Sequence, residues 1–119
     1  MKLPGPDHPI AIEPVKDRVV VRFAGEVVAE TRRALELREA SYPAVLYIPR
    51  EDVRMIHFAP TSRHSHCPYK GDASYFDLSV GAARVANAVW SYEMPFPEMA
   101  AIKGHLAFYP QHVAIERGA

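Results

Sequence analysis

Apolar and polar residues alternate in short stretches along most of this chain, and prolines and glycines punctuate the stretches. Arg18-Val-Val-Val-Arg-Phe23 and Glu26-Val-Val-Ala-Glu30 flank Ala24-Gly25, which predicts a β hairpin with glycine free to take a positive φ. Residues 31–40 carry helix-favouring Ala, Leu, Glu and Arg, but Leu35-Glu-Leu-Arg38 alternates, and the segment is read as a strand. A short strand is expected over 44–48, between Pro43 and Pro49, and Pro49-Arg-Glu-Asp52 has the make-up of one helical turn. Another strand is expected over 55–59, ended by Pro60. Over 73–80 the alternation puts Phe76, Leu78 and Val80 on one face, the expected core face, and Tyr75, Asp77 and Ser79 on the other. Gly81-Ala82 leads into a strand over 85–92, a Pro-rich loop covers 95–97, and 105–109 is the last well-buried strand. Residues 113–115 extend the sheet before a frayed tail at 116–119. Pro4, Pro6, Pro9 and Pro14 make residues 1–14 an extended arm packed on the domain.

Many short strands with Pro- and Gly-marked turns, and no strand–helix alternation, predict an all-β, mainly antiparallel fold with at most short helical turns. With 119 residues the chain is expected to form a single domain, 1–119, with one core.

Charge narrows the partners. Lys+Arg and Asp+Glu balance at 14 each, so there is no basic excess of the kind that tight nucleic-acid binding uses, and no nucleic-acid partner is expected. No apolar run approaches the roughly 20 residues that span a bilayer, so no membrane partner is expected either. One cysteine cannot close an internal disulfide, and the opening Met-Lys-Leu-Pro-Gly-Pro lacks the apolar stretch of a secretory signal. The expected location is a reducing cytoplasm.

Chemistry concentrates in His64-Ser-His-Cys-Pro-Tyr-Lys-Gly-Asp-Ala-Ser-Tyr-Phe76, which holds the only cysteine. His64-x-His66-Cys67 offers three soft-metal ligands, but on a strand Cys67 points away from the two histidines, and a structural zinc site wants four ligands. His57 or His105 could complete the set only by an accident of folding, so no metal and no cofactor is expected. Cys67 is a candidate nucleophile if a cation such as His66 or Lys70 lowers its pKa, and a packing residue otherwise. Lys70-Gly71 sits at a tight turn, where an ammonium and exposed amides can receive an anion, although a lysine in a hairpin turn is ordinarily solvated. With Arg50, His66 and Tyr75 nearby it would form an anion pocket with aromatic walls. Trp90 and Tyr92 either line such a pocket or fill the core.

At these residues the sequence resembles a known family. Gly5-Pro-Asp-His-Pro9, Tyr47-Ile-Pro-Arg-Glu-Asp-Val53, His66-Cys-Pro-Tyr-Lys-Gly-Asp-Ala-Ser-Tyr75, Asn87-Ala-Val-Trp-Ser-Tyr92 and Gly104-His-Leu-Ala-Phe-Tyr-Pro110 look like the bacterial domain-of-unknown-function family numbered 427. That family carries a nucleotidyltransferase label, and its members resemble the β-tent folds, in which two sheets meet at an angle. The resemblance therefore implies a β-tent arrangement. Relatives with that fold often hold zinc between two CxxC pairs; this chain has one cysteine, so that site does not carry over. The paired acidic motif that nucleotidyl transfer needs for Mg²⁺ is not seen either.

Three functions follow as expectations. The first is a binding domain whose cleft, around Arg50, His66, Tyr69, Tyr75 and Trp90 together with Cys67 and Lys70, takes a small anionic or planar ligand. The second is an enzyme in which Cys67 or Lys70 is catalytic, with nucleotidyl transfer suggested by the family label alone. The third is a homo-oligomeric or partner-binding module.

Overall fold

The computed structural model describes residues 1–118, and they form an antiparallel all-β fold with three short 3-10 turns. The strands are β1 (Ile10–Pro14), β2 (Val19–Phe23), β3 (Glu26–Thr31), β4 (Leu35–Glu39), β5 (Val45–Tyr47), β6 (Phe58–Cys67), β7 (Gly71–Val80), β8 (Ala83–Ser91), β9 (Ala107–Phe108) and β10 (Ala114–Arg117). They pair in three ladders, β1-β4-β5, β10-β2-β3 and β6-β7-β8-β9. A reciprocal bridge between Ile48 and Leu106, with N–H···O distances of 2.8 and 2.9 Å, joins β5 to β9 and makes the first and third ladders continuous. The strands thus belong to two hydrogen-bonded assemblies, β10-β2-β3 and the seven-stranded run from β1 to β6.

The β2–β3 hairpin forms where the pattern predicted it. Ala24 and Gly25 both take positive φ (51° and 80°), the twist that suits a two-residue hairpin loop. The strand reading of β4 also holds, and Arg50–Asp52 is the helical turn expected after Pro49.

Four expectations need correction. The expected arm over 1–14 supplies a strand, because Ile10–Pro14 pairs with Leu35–Glu39; proline is tolerated there because β1 is an edge. Pro60 does not end a strand: Met55–His57 is a 3-10 turn and β6 runs from Phe58 through Pro60 to Cys67. β6 is likewise an edge strand, and its register shifts between Pro60 and His64, so the missing N–H disrupts no interior ladder. The tail is not frayed through Arg117, since Glu116 and Arg117 pair with Val20 and Val19; Ala119 lies outside the described residues. Finally, the expected core face of β7 is only half of what it buries.

Two apolar clusters explain that last point. One lies between the β2–β3 hairpin and the four-stranded ladder, and takes Val19, Val21, Val28, Phe76, Leu78, Val89 and Leu106. The other packs the β1-β4-β5 ladder against the start of β7 and the Pro97–Ile102 turn, through Leu37, Tyr47, Ala73, Tyr75, Tyr92, Met99 and Ile102. β7 therefore buries Phe76 and Leu78 on one face and Ala73 and Tyr75 on the other. The second cluster is rich in tyrosine, and the cleft described below opens from it. No helix among the described residues is long and apolar enough to cross a membrane.

Candidate functional site

The Cys67-Pro-Tyr-Lys-Gly71 segment is the loop of the β6–β7 hairpin, with Cys67 paired to Gly71 and three residues between them. Gly71 has φ +114°, a conformation in which a side chain is strained, and a Cβ placed there would lie 3.5 Å from the backbone of Pro95 and Phe96. The Lys70 carbonyl accepts a 2.9 Å bond from the Phe96 amide, and the Pro68 carbonyl one of 2.7 Å from Lys2. The loop is thereby fixed on both sides, and Lys70 turns inward. Its side chain is only 8% exposed, unlike Lys2, Lys16 and Lys103, which sit at the surface.

A buried ammonium needs a counter-charge, and β4 supplies it. Lys70 Nζ donates to Glu39 Oε1 at 2.5 Å, lies 3.5 Å from Cys67 Sγ, and stands 5.9 Å from the centre of the Tyr92 ring. The other Glu39 oxygen, Oε2, is 2.7 Å from His8 Nε2. The His8 ring stacks on Tyr69 with centroids 4.0 Å apart, so the arm, β4 and the hairpin loop meet at one carboxylate. Burial alone would push the Glu39 carboxyl up; the hydrogen bonds from Lys70 and His8, with their charges, outweigh it and hold it below the usual carboxylate range.

Glu39 thus stabilises the fold above its unfolded pKa of about 4.3, and that contribution is lost as pH falls through its lower folded value. Glu36 and Asp77 are held low in the same sense, the first chiefly by its bonds with Arg38 and Arg117, the second by the Asn87 amide. Urea unfolding between pH 5 and pH 3 is expected to show stability falling with pH, and the fall is expected to be shallower in Glu39→Gln, with Glu36 and Asp77 carrying what remains.

Two chambers adjoin this ion pair and share Glu39, Tyr42, Lys70 and Tyr92. The inner one, about 220 Å³, is walled by Tyr42, Tyr47, Tyr75, Trp90, Tyr92 and Tyr109 with Leu37, Pro43 and Val45. The outer one, about 490 Å³, is edged by His8, His66, Cys67, Pro68 and Tyr69. Five of the six tyrosines and the only tryptophan therefore surround the inner chamber, and Tyr69, the sixth, lines the outer. The walls are braced: Trp90 Nε1 donates to Tyr47 Oη at 3.3 Å, Tyr75 Oη shares a 2.7 Å bond with Ser65 Oγ, and the Trp90 and Tyr109 rings lie 4.6 Å apart. Burial pushes the Tyr47 and Tyr92 phenols well above their ordinary range, and burial followed by the Tyr75 hydroxyl raises Tyr109. Near neutral pH these three are neutral O–H groups lining the chamber that Lys70 also borders.

Of the residues singled out from the sequence, Lys70, Tyr75 and Trp90 meet at the inner chamber, while Cys67, Tyr69 and His66 border the outer. His66 is at its rim, 59% exposed and 2.7 Å from Asp72. Arg50 lines neither chamber: it bonds Glu93 at 2.6 Å and the Gly104 carbonyl at 3.1 Å, with its guanidinium over Phe76. His57 faces Glu26 and His105 bonds the Lys103 carbonyl, so neither joins His64 and His66. Sequence reasoning missed Glu39 and His8. A signal for Glu39 was present, since on β4 it shares parity with Leu35 and Leu37 and thus puts a carboxylate on the apolar face of the strand.

Comparison with known proteins adds the family. No match is found among curated proteins. A family model described as a domain of unknown function, DUF427, matches residues 11–118, which include β4 and the whole β6–β7 hairpin. The chain belongs to the DUF427 family.

Proposed function

We propose that this domain binds a small planar molecule bearing an anionic or hydrogen-bond-accepting group, held with its ring in the inner chamber and its polar group at Lys70. The observation that carries the reading is a nearly buried lysine opening onto a chamber of aromatic walls. An ammonium has three N–H donors; Glu39 takes one and the Cys67 sulfur is a weak acceptor, so Lys70 keeps donor capacity for a ligand. Tyrosine and tryptophan faces suit a flat π system, and their polar tips fix its orientation. The inner chamber is smaller than the roughly 300–1,000 Å³ of sites for drug-sized ligands, which favours one or two rings, with any further substituent reaching into the outer chamber past His8 and Cys67.

The nucleotidyltransferase label is not adopted as a reaction. Among the described residues lining the two chambers Glu39 is the one carboxylate, and Lys70 and His8 already hold it, whereas metal-assisted nucleotidyl transfer needs acidic groups free to take Mg²⁺.

A thermal-shift screen of nucleotides, aromatic carboxylates and other anionic metabolites tests the reading. Planar anions are expected to raise the melting temperature, with the rise lost in Trp90→Ala and retained in Arg50→Lys, since Arg50 lines neither chamber. A shift unaffected by Trp90→Ala would place the ligand elsewhere and defeat the proposal.

A further inference from the structure

Lys70 is placed for more than holding an anion. Among the lysines of the sequence it alone is buried, and its nitrogen has a proton acceptor at hydrogen-bond distance, Glu39 Oε1, whose other oxygen is held by His8. Its Nζ also borders a chamber walled by aromatic rings that leaves room for a small molecule. An amine that adds to a carbonyl group needs a proton acceptor beside its nitrogen and a site that holds the carbonyl compound against it, and Glu39 and the aromatic chamber supply the two. Resting on the binding reading above, we infer that the inner chamber takes a planar aldehyde or ketone and that Lys70 forms an imine with it.

The step balances through Glu39 alone. Glu39 takes a proton from the ammonium, and the freed amine lone pair attacks the carbonyl carbon, forming the C–N bond as the C=O π pair moves to oxygen. Glu39 returns the proton to that oxygen, takes a second from the nitrogen, and delivers it to the hydroxyl as the C–O bond breaks and water leaves. The product is an iminium on Lys70 and one water, both of whose hydrogens came from the ammonium. Glu39 ends as it began, and the cation beside it is replaced by another cation, so the charge balance of the buried pair survives the reaction. The neutral phenols of Tyr47 and Tyr92 line the same chamber and supply O–H donors for the oxygen as it gains charge.

The deciding comparison, between lysines of one molecule, is made on the wild-type chain, so that it does not depend on the folding of a variant. The protein is incubated with benzaldehyde and sodium cyanoborohydride, which reduces an iminium to a stable secondary amine, and the modified lysines are mapped by peptide mass spectrometry. Labelling of Lys70 at least tenfold faster than of Lys2, Lys16 and Lys103, slowed by excess benzoate and by Glu39→Gln, is the expected result. Labelling confined to the three surface lysines, with Lys70 untouched, overturns the inference. A parallel thermal-shift titration with benzoate, which cannot form an imine, separates the two failures. If benzoate stabilises the protein while Lys70 stays unlabelled, the imine falls and the binding reading stands; if benzoate has no effect either, both fall.

Discussion

Replacing Lys70 by methionine is expected to destabilise the protein by about 3 kcal/mol, near the lower end of the roughly 3–5 kcal/mol lost when one member of a buried ion pair is removed. Methionine keeps most of the side-chain length and apolar stem, so little of the loss comes from packing. The cost lies with Glu39, whose side chain is 16% exposed and retains only His8 as a partner once the ammonium is gone. The double variant Lys70→Met/Glu39→Leu is expected to recover most of the loss, because a buried pair and an apolar pair of similar volume are close in stability. Urea denaturation of the wild type, the two single variants and the double variant measures the coupling directly. If Lys70→Met proved neutral, the ion pair would not be holding the hairpin loop in place.

The second large effect is expected at the joint between ladders. Leu106 is fully buried in the larger apolar cluster, and its backbone exchanges both hydrogen bonds with Ile48 across the one bridge that connects β5 to β9. Leu106→Ala removes side-chain volume at a place where strands from two ladders meet, which limits how far the surroundings can close over the gap. A loss of about 3–4 kcal/mol is expected, within the roughly 2–5 kcal/mol range of buried leucine truncations. Chemical denaturation checks it. A loss under about 1 kcal/mol would mean that the joint relaxes freely and that the seven-stranded run does not behave as one assembly.

The sequence was most legible where chemistry is local. Ala24-Gly25 announces its hairpin because the turn demands positive φ from both residues, and the alternation of Leu35, Leu37 and Glu39 outweighs the helix preference of their neighbours because β4 is paired on both edges. Pro60 misled because proline forbids an interior ladder bond but not an edge position, and whether a strand lies at an edge depends on partners remote in sequence. Residues 116–117 read as a tail for the same reason: their partners, Val20 and Val19, lie nearly a hundred positions earlier. Tyr75 was placed away from the core because alternation reveals two faces but not that a second ladder covers the other one.

For the site, one segment pointed to its place, and Lys70, Tyr75 and Trp90 do line one chamber. Its electrostatics were not legible, because His8, Glu39 and Lys70 come from three separated stretches that only the β1–β4 pairing and the fixed hairpin loop bring together. Arg50 was included for its charge; the fold gives that charge to Glu93 instead.

Titrating the ¹⁵N-labelled protein with benzoate and following its amide and indole N–H resonances tests the central claim most directly. Shifts concentrated at the Trp90 indole and at the amides of Leu37, Tyr47, Lys70 and Gly71, saturating together with one binding constant, are the predicted result. Shifts confined to the arginine-bearing surface around Arg18, Arg32 and Arg54, with the Trp90 indole unmoved at saturation, would contradict it.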